Sequence, residues 1–395
     1  MNYILFDDYS WDNLLPLTFT RPVSEIRIGI LRIREKWERY LDESCYHLTR
    51  DYLSDKYPLK TQEENVLLNS SVLPDEKLVG QVQNLDSGQA LVYQDEIIAA
   101  RLTKYQVDDF RNKEVRDIEV EEYSREILKI NHPWEIFLYN GKAIERDFKL
   151  LTANRESQPL SNTNQLLGES GIFIEPGASV EGAVINSTQG PVYIGRDAEI
   201  MEGSLVRGPF AMAEHAVLKL SAKIYGPTTL GPYSKAGGEL NNAILTGYSN
   251  KAHDGFLGNA VLGEWCNIGA GSNNSNLKNN YASVKLWDYT EERFIDTQQQ
   301  FCGLIMGDHS KCAINTMFNT GTVVGVNANI YGAGFPRNFI PSFSWGGSQG
   351  FKEYRVDKAL EVARTVMKRR NLDLDETEER ILREVFNRTQ KYRRF

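Results

Sequence analysis

Two kinds of hydrophobic pattern divide the chain. The first 150 residues mix short apolar runs with helical patterns, whereas the part from Gly171 onward repeats every six residues. In the first part, the chain between Ile26 and Tyr40 has the 3.6-residue period of an amphipathic helix, and Glu96–Leu102 fits either a strand or a helix. Apolar runs of the strand type are Tyr3–Phe6, Val66–Leu68 and Ala90–Tyr93. Alternating strands and helices predict an α/β domain.

The six-residue repeat is continuous over two stretches of the second part. Apolar residues recur at every sixth position, and the residue four places later is mostly small. The first run is Ile194, Ile200, Val206, Met212, Leu218, Ile224, Leu230 and Ala236, and the second is Met306, Cys312, Phe318, Val324 and Ile330. Glycines follow several of these positions directly.

A six-residue repeat of apolar positions is typical of a triangular parallel β-solenoid, in which each six-residue unit forms one side and one corner of a coil. The apolar residue points inward, and glycine supplies the corner conformations that other residues reach only with strain. An antiparallel sandwich is the alternative, but it predicts two-residue alternation over irregular lengths. We therefore predict an α/β domain over 1–150, a polar linker over 151–170, a solenoid over 171–350 and helices over 351–395.

The phase breaks between Ala270 and Gln300, in a polar and aromatic stretch. We interpret it as a loop extruded from one corner, because long loops inside repeat arrays are usually functional. The loop is expected to reach a neighbouring copy of the chain around Asn273 and Asn274.

Composition excludes several classes of protein. The 395 residues carry 45 Lys and Arg against 53 Asp and Glu, and a net charge of −8 argues against a nucleic-acid binder. No apolar run approaches the ~20 residues of a membrane span. The four cysteines show no CxxC spacing, which favours a reduced protein without structural zinc or disulfides. We expect a cytoplasmic protein with small-molecule partners and neither nucleic acid nor membrane.

Two segments carry a resemblance to a known family. Lys251–Ala260 and Trp265–Gly271 resemble the acetyltransferase part of the bifunctional enzymes that make UDP-N-acetylglucosamine, in which a sugar-1-phosphate nucleotidyltransferase domain precedes a left-handed β-helix. The wider pattern resembles a family of sugar nucleotidyltransferases fused to this helix, through Leu15–Pro22, Ser275–Lys278, Gly307–Lys311 and Pro341–Gly347. The resemblance implies a degenerate nucleotidyltransferase-like α/β domain followed by a left-handed parallel β-helix of hexapeptide repeats and a C-terminal helical segment.

The resemblance also implies catalytic residues. His253 stands where the related acetyltransferases have their general base, which removes a proton from an amine as it attacks a thioester. Asp254 or Glu239 is expected to orient the ring or to hold the substrate ammonium. A corner histidine bonded to a backbone carbonyl is the alternative, and His309 is the next candidate for the base. The remaining histidines, His47, His132 and His215, are expected to be structural.

Substrate contacts carry over in part. Glu239, Asn267 and Asn276 match positions that hold the sugar, and Lys223 matches a phosphate-binding arginine but lacks its bidentate fork. One lysine and two tyrosines of the family's pocket are replaced here, by Asn241, Phe256 and Leu277. The acceptor is therefore expected to differ from glucosamine-1-phosphate.

The donor is expected to be acetyl-CoA. Gly269, Ala270 and Gly271 keep a backbone that a pantetheine chain can approach closely, although such glycines are equally consistent with plain corner residues.

The amino-terminal part resembles sugar nucleotidyltransferases more weakly. In Leu15–Pro22, Thr20 and Arg21 match residues that meet a nucleotide triphosphate, but the glycine-rich stretch expected before them is replaced by Asp7–Asn13. Aspartates there repel a triphosphate unless a metal intervenes. Asn69 stands near the place of a metal-binding aspartate and is a poor Mg²⁺ ligand. The alternative is that Thr20 and Arg21 cap the helix that follows.

Three functions remain open from the sequence. The first is transfer of an acetyl group from acetyl-CoA to an amino sugar phosphate or nucleotide sugar, with no resident metal and in a groove between the solenoids of a homotrimer. The second is nucleotidyl transfer, forming NDP-sugar and pyrophosphate with Mg²⁺, as in glucose-1-phosphate thymidylyltransferase. The third is a non-catalytic scaffold that binds nucleotide sugars.

Overall fold

The computed structural model describes residues 1–112, 118–168 and 171–395. These residues form two compact units, and each unit is described by itself. The first contains Met1–Leu14, Arg21–Ile26 and Leu31–Asn131, and the second contains Leu15–Thr20, Arg27–Ile30 and His132–Phe395.

The first unit is an α/β domain, as the alternating pattern predicts. Its six-stranded sheet has the order β2-β1-β3-β6-β5-β7, with β1 parallel to both of its neighbours and β6 antiparallel to β3. The strands, numbered in chain order, are β1 (Asn2–Phe6), β2 (Cys45–Leu48), β3 (Glu64–Asn69), β4 (Val72–Leu73), β5 (Gln89–Tyr93), β6 (Glu96–Thr103), β7 (Glu119–Glu122) and β8 (Leu128–Lys129). The helices are α1 (Ser10–Asn13), α2 (Ile33–Leu41), α3 (Glu76–Gln83) and α4 (Lys104–Arg111). The three predicted strands are confirmed, and the ambiguous stretch is the strand β6.

The prediction of a helix over 26–40 is wrong in its first half, because α2 begins only at Ile33. Gly29 has a φ of +76°, which no right-handed helix contains. The N–H groups of Gly29 and Ile30 donate instead to side chains of the 20-residue helix α5 (Pro133–Thr152), at 2.7 Å from the Asn140 amide oxygen and 2.8 Å from the Asp147 carboxylate. Gly29 and Ile30 are therefore held by hydrogen bonds to α5 and do not belong to α2.

The second unit contains a parallel β-solenoid of about ten coils over residues 165–346, which confirms the fold that the six-residue period predicts. Side one consists of β9 (Gln165–Leu167), β12 (Val184–Asn186), β15 (Leu205–Arg207) and β18 (Lys223–Tyr225), followed by β21 (Glu239–Gly247) and β23 (Phe256–Glu264), which continue onto side two. The strand β9 lies within the segment that we predicted as a linker.

Sides two and three complete each coil. Side two consists of β10 (Ile172–Ile174), β13 (Val192–Ile194), β16 (Phe210–Met212), β19 (Thr228–Leu230), the second parts of β21 and β23, β28 (Leu304–Met306), β31 (Thr322–Val324) and β33 (Phe339–Ile340). Side three consists of β11 (Ser179–Val180), β14 (Glu199–Ile200), β17 (Val217–Leu218), β20 (Lys235–Ala236), β22 (Asn250–Lys251), β24 (Asn267–Ile268), β29 (Lys311–Cys312), β32 (Asn329–Ile330) and β34 (Ser344–Gly347), to which β35 (Gly350–Glu353) adds antiparallel. The predicted C-terminal helices are α6 (Val356–Lys368) and α7 (Glu376–Arg388).

The interior of the coils is lined as the repeat predicts. Every apolar residue of the two six-residue runs belongs to a single core cluster of buried side chains. Burial of this column on all three sides holds successive coils in register.

Where the first run ends, the coil becomes shorter. Met212 pairs with Leu230, eighteen residues later, but Leu230 pairs with Leu245, only fifteen residues later. Here β21 and β23 pass from side one to side two without the usual corner, and α5 packs against this part of the solenoid. The Asn140 amide of α5 donates to the Pro227 carbonyl at 3.2 Å, which ties the helix to the coil.

The segment predicted as an extruded loop is only partly one. Asn273 and Asn274 form the short strand β25 (Asn273–Asn274), which pairs in parallel with β30 (Met317–Phe318), so the expectation that they lie in an extruded loop is wrong. Their contact with a neighbouring copy stays a prediction. Their side-chain oxygens accept hydrogen bonds from the N–H groups of Phe256 and Gly258 in the preceding coil, at 2.7 and 2.8 Å. The part of the segment that does leave the solenoid lies after Asn274, and we call it the excursion. It contains the antiparallel hairpin of β26 (Lys285–Asp288) and β27 (Arg293–Asp296).

One corner of the solenoid carries a column of stacked rings, which we call the ring column. It consists of His215, Tyr233, Tyr248, Trp265 and His309, with neighbouring ring centroids 4.3 to 6.2 Å apart. Each of these residues has a φ between 53° and 62°, which costs a residue other than glycine roughly 1 kcal/mol. Stacking between adjacent rings contributes about 0.5–1.5 kcal/mol a pair and offsets this cost.

Replacing Tyr248 by leucine tests the ring column. The variant keeps an apolar side chain but loses the stacking on Tyr233 and on Trp265, so we expect the free energy of unfolding in urea to fall by about 1–2 kcal/mol. Tyr281→Leu is the matched control, since Tyr281 also has a positive φ (57°) and is 65% exposed. Equal effects of the two substitutions would show that the stack contributes nothing.

Candidate functional site

His253 lies at the corner between β22 on side three and β23 on side one. It is exposed together with Asp254, and its ring makes no hydrogen bond with any residue that the structure describes. The imidazole therefore lies outside the coil and is open to a ligand. The alternative of a corner histidine bonded to a backbone carbonyl does not hold.

The backbone of this corner is held from inside the coil by a lysine. Lys251 occupies an interior position between Ala236 and the next coil and is 1% exposed. Its ammonium donates to the Gly237 carbonyl at 2.9 Å and to the carbonyl of His253 itself. Burial lowers the pKa of Lys251 to about 8. Lys251 begins the segment that carries the resemblance, but its interior position was not predicted, because lysine is among the types least expected there.

A polar face on side one adjoins the corner. Lys223, Glu239 and Phe256 stand at the same register on the adjacent strands β18, β21 and β23. The Glu239 N–H donates to the Gly255 carbonyl at 3.1 Å, so the corner with His253 lies directly beside the start of β21. The structure thus brings together four of the predicted residues, Lys223, Glu239, His253 and Asp254.

Tyr225 belongs to this face and was missed by the sequence analysis. Its hydroxyl donates to the Glu239 carboxylate, and this hydrogen bond raises the pKa of Tyr225 to about 12. Strand alternation offered a signal, since Tyr225 lies two residues after Lys223 and therefore on the same face of β18. The tyrosine hydroxyl restores one polar contact that Phe256 and Leu277 lack.

Phe256 and Asn276 close one end of the face. A Cβ placed on Gly258 would lie 2.4 Å from the Phe256 ring and 2.9 Å from the Asn276 amide nitrogen, so both side chains cover this glycine. The Asn276 amide also donates to the Asn259 side chain at 2.8 Å. Asn276 therefore lies beside the face as predicted, with one amide N–H engaged within the chain.

Asn267 and the predicted cofactor-binding turn lie elsewhere. Asn267 is an exposed residue of side three, between Asn250 and Lys311, and does not join the face on side one. Ala270 and its two flanking glycines form the corner one coil beyond His253. A Cβ on Gly269 would lie 2.4 Å from the Ala313 backbone, and one on Gly271 would lie 2.3 Å from the Asn315 side chain. Both glycines are therefore required by contact with the next coil, as plain corner residues are.

Thr20 and Arg21 are engaged in the fold. The Thr20 hydroxyl donates to the Asp308 carboxylate at 2.6 Å, and Asp308 also accepts the N–H of Glu264 at 2.8 Å. Arg21 is only 5% exposed, and its carbonyl accepts the Trp11 indole N–H. Neither residue caps α2, whose first-turn N–H groups lie beyond Arg32. The predicted contact of Thr20 and Arg21 with a nucleotide stays a prediction.

Thr20→Val separates a structural role of Thr20, the hydrogen bond to Asp308, from the predicted contact with a nucleotide. Valine has nearly the same shape but cannot donate to Asp308, so the free energy of unfolding is expected to fall by about 1.5–3 kcal/mol, the usual range for a hydrogen bond to a charged group. Nucleotide binding, measured by calorimetric titration, should be unchanged. A loss of nucleotide affinity at unchanged stability would support the predicted contact instead.

The other histidines have structural contacts. His309 is 7% exposed and belongs to the ring column, so it is unsuited to act as the base. His47 lies 3.4 Å from the Glu25 carboxylate, and His132 stacks on Trp134 with centroids 4.3 Å apart.

A cavity in the first unit lies where β1 and β2 end, and it is a second candidate site. It has a volume of about 910 Å³, and Asp7, Asp8, Thr49, Arg50 and Arg111 are among its lining residues. Ligands of α/β sheets bind at the carboxyl ends of parallel strands, which is where this cavity lies. The sequence analysis did not identify Arg50 or Arg111.

The two aspartates of this cavity are already engaged. Asp7 accepts from the Thr49 hydroxyl at 2.6 Å, and burial raises the pKa of Asp7 to about 6. Asp8 lies 2.9 Å from the Lys129 ammonium; burial opposes its ionisation, but Lys129 and hydrogen bonds from Ser10 and Asn69 outweigh burial and lower its pKa.

Lys129 also contacts Glu96 at 2.5 Å, so it holds two carboxylates in place of a metal ion. Within the described ranges, no three His, Cys, Asp or Glu side chains lie close enough to hold a metal ion together. The donor set does not fit Mg²⁺ in this arrangement.

Comparisons with known proteins identify a family model and a curated relative to which the chain is similar. Residues 3–156 match the family model described as sugar nucleotidyl transferase. A bifunctional sugar-1-phosphate nucleotidylyltransferase/acetyltransferase from Sulfurisphaera tokodaii is 24% identical over 243 residues, which cover 60% of this chain and 54% of that protein. The chain thus spans about half the length of this curated relative. The resemblance found in the sequence motifs is confirmed.

Among solved structures, an Arabidopsis UDP-N-acetylglucosamine acyltransferase is 15% identical, with a TM-score of 0.26, and the match covers 54% of this chain and 80% of that one. A second UDP-N-acetylglucosamine acyltransferase is 12% identical, with a TM-score of 0.17, and covers 60% and 82% of the two chains. Among the helices that the structure describes, none has the length and apolarity needed to cross a membrane.

Proposed function

We propose that the chain is a transferase of sugar-nucleotide metabolism whose solenoid transfers an acetyl group from acetyl-CoA to an amino sugar phosphate or a nucleotide sugar. The observation that carries this proposal is the exposed imidazole of His253 beside the face of Lys223, Tyr225 and Glu239. A free base next to a cation and a carboxylate is what a phosphorylated amino sugar requires for binding and deprotonation.

His253 acts as the general base in this reaction. The amine nitrogen attacks the thioester carbonyl carbon and loses a proton to the imidazole, so that a C–N bond forms while the C–S bond breaks. CoA leaves as a thiolate, and the imidazolium returns the proton to its sulfur. Atoms and charge balance without a metal or a redox partner.

The face on side one binds the acceptor. Lys223 pairs with the phosphate as a single cation, and the Glu239 carboxylate, already accepting from Tyr225, accepts a hydrogen bond from a sugar hydroxyl or from the ammonium. An ammonium releases one proton to water before the neutral amine attacks the thioester. Asp254 is exposed at the same corner and would orient the imidazole once the acceptor is bound, since the ring makes no hydrogen bond with the described residues of the free chain. Acetyl-CoA lies along the adjacent corner of Gly269, Ala270 and Gly271.

We further propose that the groove is completed by a neighbouring copy in a cytoplasmic homotrimer, because a ligand on one flat side of a solenoid is otherwise open to water. The excursion that begins after Asn274 supplies chain for that contact. Analytical ultracentrifugation tests the assembly, and a monomer at micromolar concentration would contradict it.

Nucleotidyl transfer by the first unit is the second candidate. It is favoured by the cavity at the ends of β1 and β2 and by the family match over residues 3–156. The pairing of Asp8 with Lys129 disfavours it, because Mg²⁺ would have to displace the lysine.

Two assays separate the candidates. Purified protein is mixed with acetyl-CoA and a panel of amino sugar 1-phosphates and nucleotide-linked amino sugars, and free CoA thiol is measured. We expect thiol release with at least one acceptor, and no release with any acceptor would overturn the first proposal. Pyrophosphate release from nucleoside triphosphates and sugar 1-phosphates with Mg²⁺ tests the second proposal. No product in either assay would favour the third function, a non-catalytic scaffold that binds nucleotide sugars.

A further inference from the structure

A cavity of about 670 Å³ lies between the hairpin of β26 and β27 and the last coils of the solenoid. It contains none of the residues assigned to acetyl transfer. Its volume falls within the range of small-molecule sites. Six of its lining residues carry the argument: Lys278, Lys285, Arg337, Trp287, Phe294 and Phe339.

The charge of the lining has one sign. Lys278, Lys285 and Arg337 contribute three cations, and none of the described residues that line the cavity is an aspartate or a glutamate. None of the three cations forms an ion pair with a carboxylate of the described chain, although the whole sequence carries a net charge of −8. One Lys278 N–H is engaged by the Ser283 carbonyl at 2.6 Å, and the nearby Asp296 senses both lysines, which contribute to its lowered pKa after its own hydrogen bonds.

The opposite wall is aromatic. The Trp287 ring stacks on Phe339 with centroids 4.1 Å apart and meets the edge of Phe294, which is 39% exposed. A planar ring can stack on such a wall, and each base–aromatic contact of this kind contributes about 1–3 kcal/mol.

One donor in the cavity wall has no acceptor. The indole N–H of Trp287 is buried and finds no hydrogen-bond partner among the described residues. A buried donor left unsatisfied is unfavourable, so an acceptor is expected from outside the chain. The hairpin thus presents three features to one ligand: positive charge, an aromatic surface and a single buried donor.

We propose that this cavity binds a nucleoside phosphate. The base stacks on Phe294, the exposed ring of the aromatic wall, and accepts a hydrogen bond from the indole N–H at the edge of Trp287, while the phosphates lie on the three cations. The ligand has two possible sources, the adenosine diphosphate part of CoA or the nucleotide of a sugar nucleotide. This site is separate from the corner of His253, and its test does not depend on acetyl transfer.

Calorimetric titration of the full chain tests the site with ADP, CoA, UDP and a UDP-sugar, and with inorganic pyrophosphate as the phosphate without a base. Wild-type protein is expected to bind at least one nucleoside phosphate at least tenfold more tightly than pyrophosphate. Preference for CoA and ADP assigns the site to the acyl donor, and preference for UDP ligands assigns it to a sugar nucleotide. Equal affinity for pyrophosphate would overturn the proposal.

Two variants place the binding in this cavity. Arg337→Ala is expected to weaken binding of the nucleotide by at least tenfold, and Trp287→Phe, which keeps a ring but loses the donor, by about three- to tenfold. Arg293→Ala is the matched control, since Arg293 lies in the same hairpin but pairs with Glu291 at 3.1 Å and does not line the cavity. Binding that neither lining variant changes, as expected of a nucleotide held in the first unit, would overturn the proposal.

Discussion

Replacing His253 by alanine is expected to lower kcat/KM for acetyl transfer by about 10²–10⁴-fold, the usual contribution of a positioned general base. The ring is exposed and makes no hydrogen bond within the described chain, so its removal leaves no buried polar group behind. The free energy of unfolding should therefore stay within about 0.5 kcal/mol of the wild type, as for most surface substitutions.

The distribution of the loss between kcat and KM identifies the role. A base acts in the transition state, so kcat should fall while the affinity for acetyl-CoA, measured by titration, stays the same. His215→Ala is the matched control, because His215 is also an exposed histidine at a corner of the solenoid. Full turnover of the His253 variant would remove the assignment, and an equal loss in the His215 variant would show that the effect is not catalytic.

Replacing Lys251 by alanine is expected to lower the free energy of unfolding by about 3–5 kcal/mol at pH 8. The substitution leaves a cavity in the coil and removes the donor for the carbonyls of Gly237 and His253. Lys251→Met fills the space without restoring the donor, so it should recover part of the stability. Lys352→Met on the exposed strand β35 is the control and should change stability by less than about 0.5 kcal/mol.

The same residue gives stability a pH dependence with a definite sign. Since burial lowers the pKa of Lys251 from 10.5 to about 8, the unfolded chain holds this proton through a pH range in which the folded chain has released it. The contribution of Lys251 to the free energy of unfolding therefore rises with pH between about 8 and 10.5. We expect the difference between wild type and Lys251→Met to shift by about 1–3 kcal/mol in favour of the wild type over this range.

The difference in free energy of unfolding between the wild type and Lys251→Met isolates the effect of the Lys251 pKa. Burial raises the pKa of the Cys266 and Cys302 thiols to about 12, so stability contributed by these thiols is lost above pH 9, where they ionise in the unfolded chain. Because both proteins contain these cysteines, their contribution cancels. A difference that is flat from pH 8 to pH 10 in urea unfolding experiments would contradict the lowered pKa.

The repeat made most of the solenoid predictable, because a six-residue phase leaves few other ways to bury one apolar residue per unit. Both runs, from Ile194 to Ala236 and from Met306 to Ile330, lie in the core as expected. The six-residue period ends where α5 packs on β21 and β23. These two strands run from side one to side two without a corner between them. A distant contact also misled the helix prediction at Gly29, whose backbone N–H donates to Asn140 of α5.

The candidate site was predictable only where a motif marked it. His253 lies where the resemblance placed it, and Glu239 and Lys223 join it through strand register. Lys251 was not predictable, because an interior lysine is recognised only once its two carbonyl partners are known. Asn273 and Asn274 appeared to belong to a polar loop, yet their amides bond to the preceding coil, a use of polar residues that hydrophobic patterning does not detect.

The unequal coil lengths have an evolutionary consequence. Between Ile194 and Leu230 the coils are of equal length, so duplicating or deleting one whole coil there keeps every later residue on its own side of the prism. From Leu230 to Met306 the coils differ in length, so an insertion or deletion of eighteen residues there does not match a whole coil and would rotate everything downstream away from its partners. Relatives should therefore vary in size through the early coils, while the tract around His253 keeps a fixed number of residues.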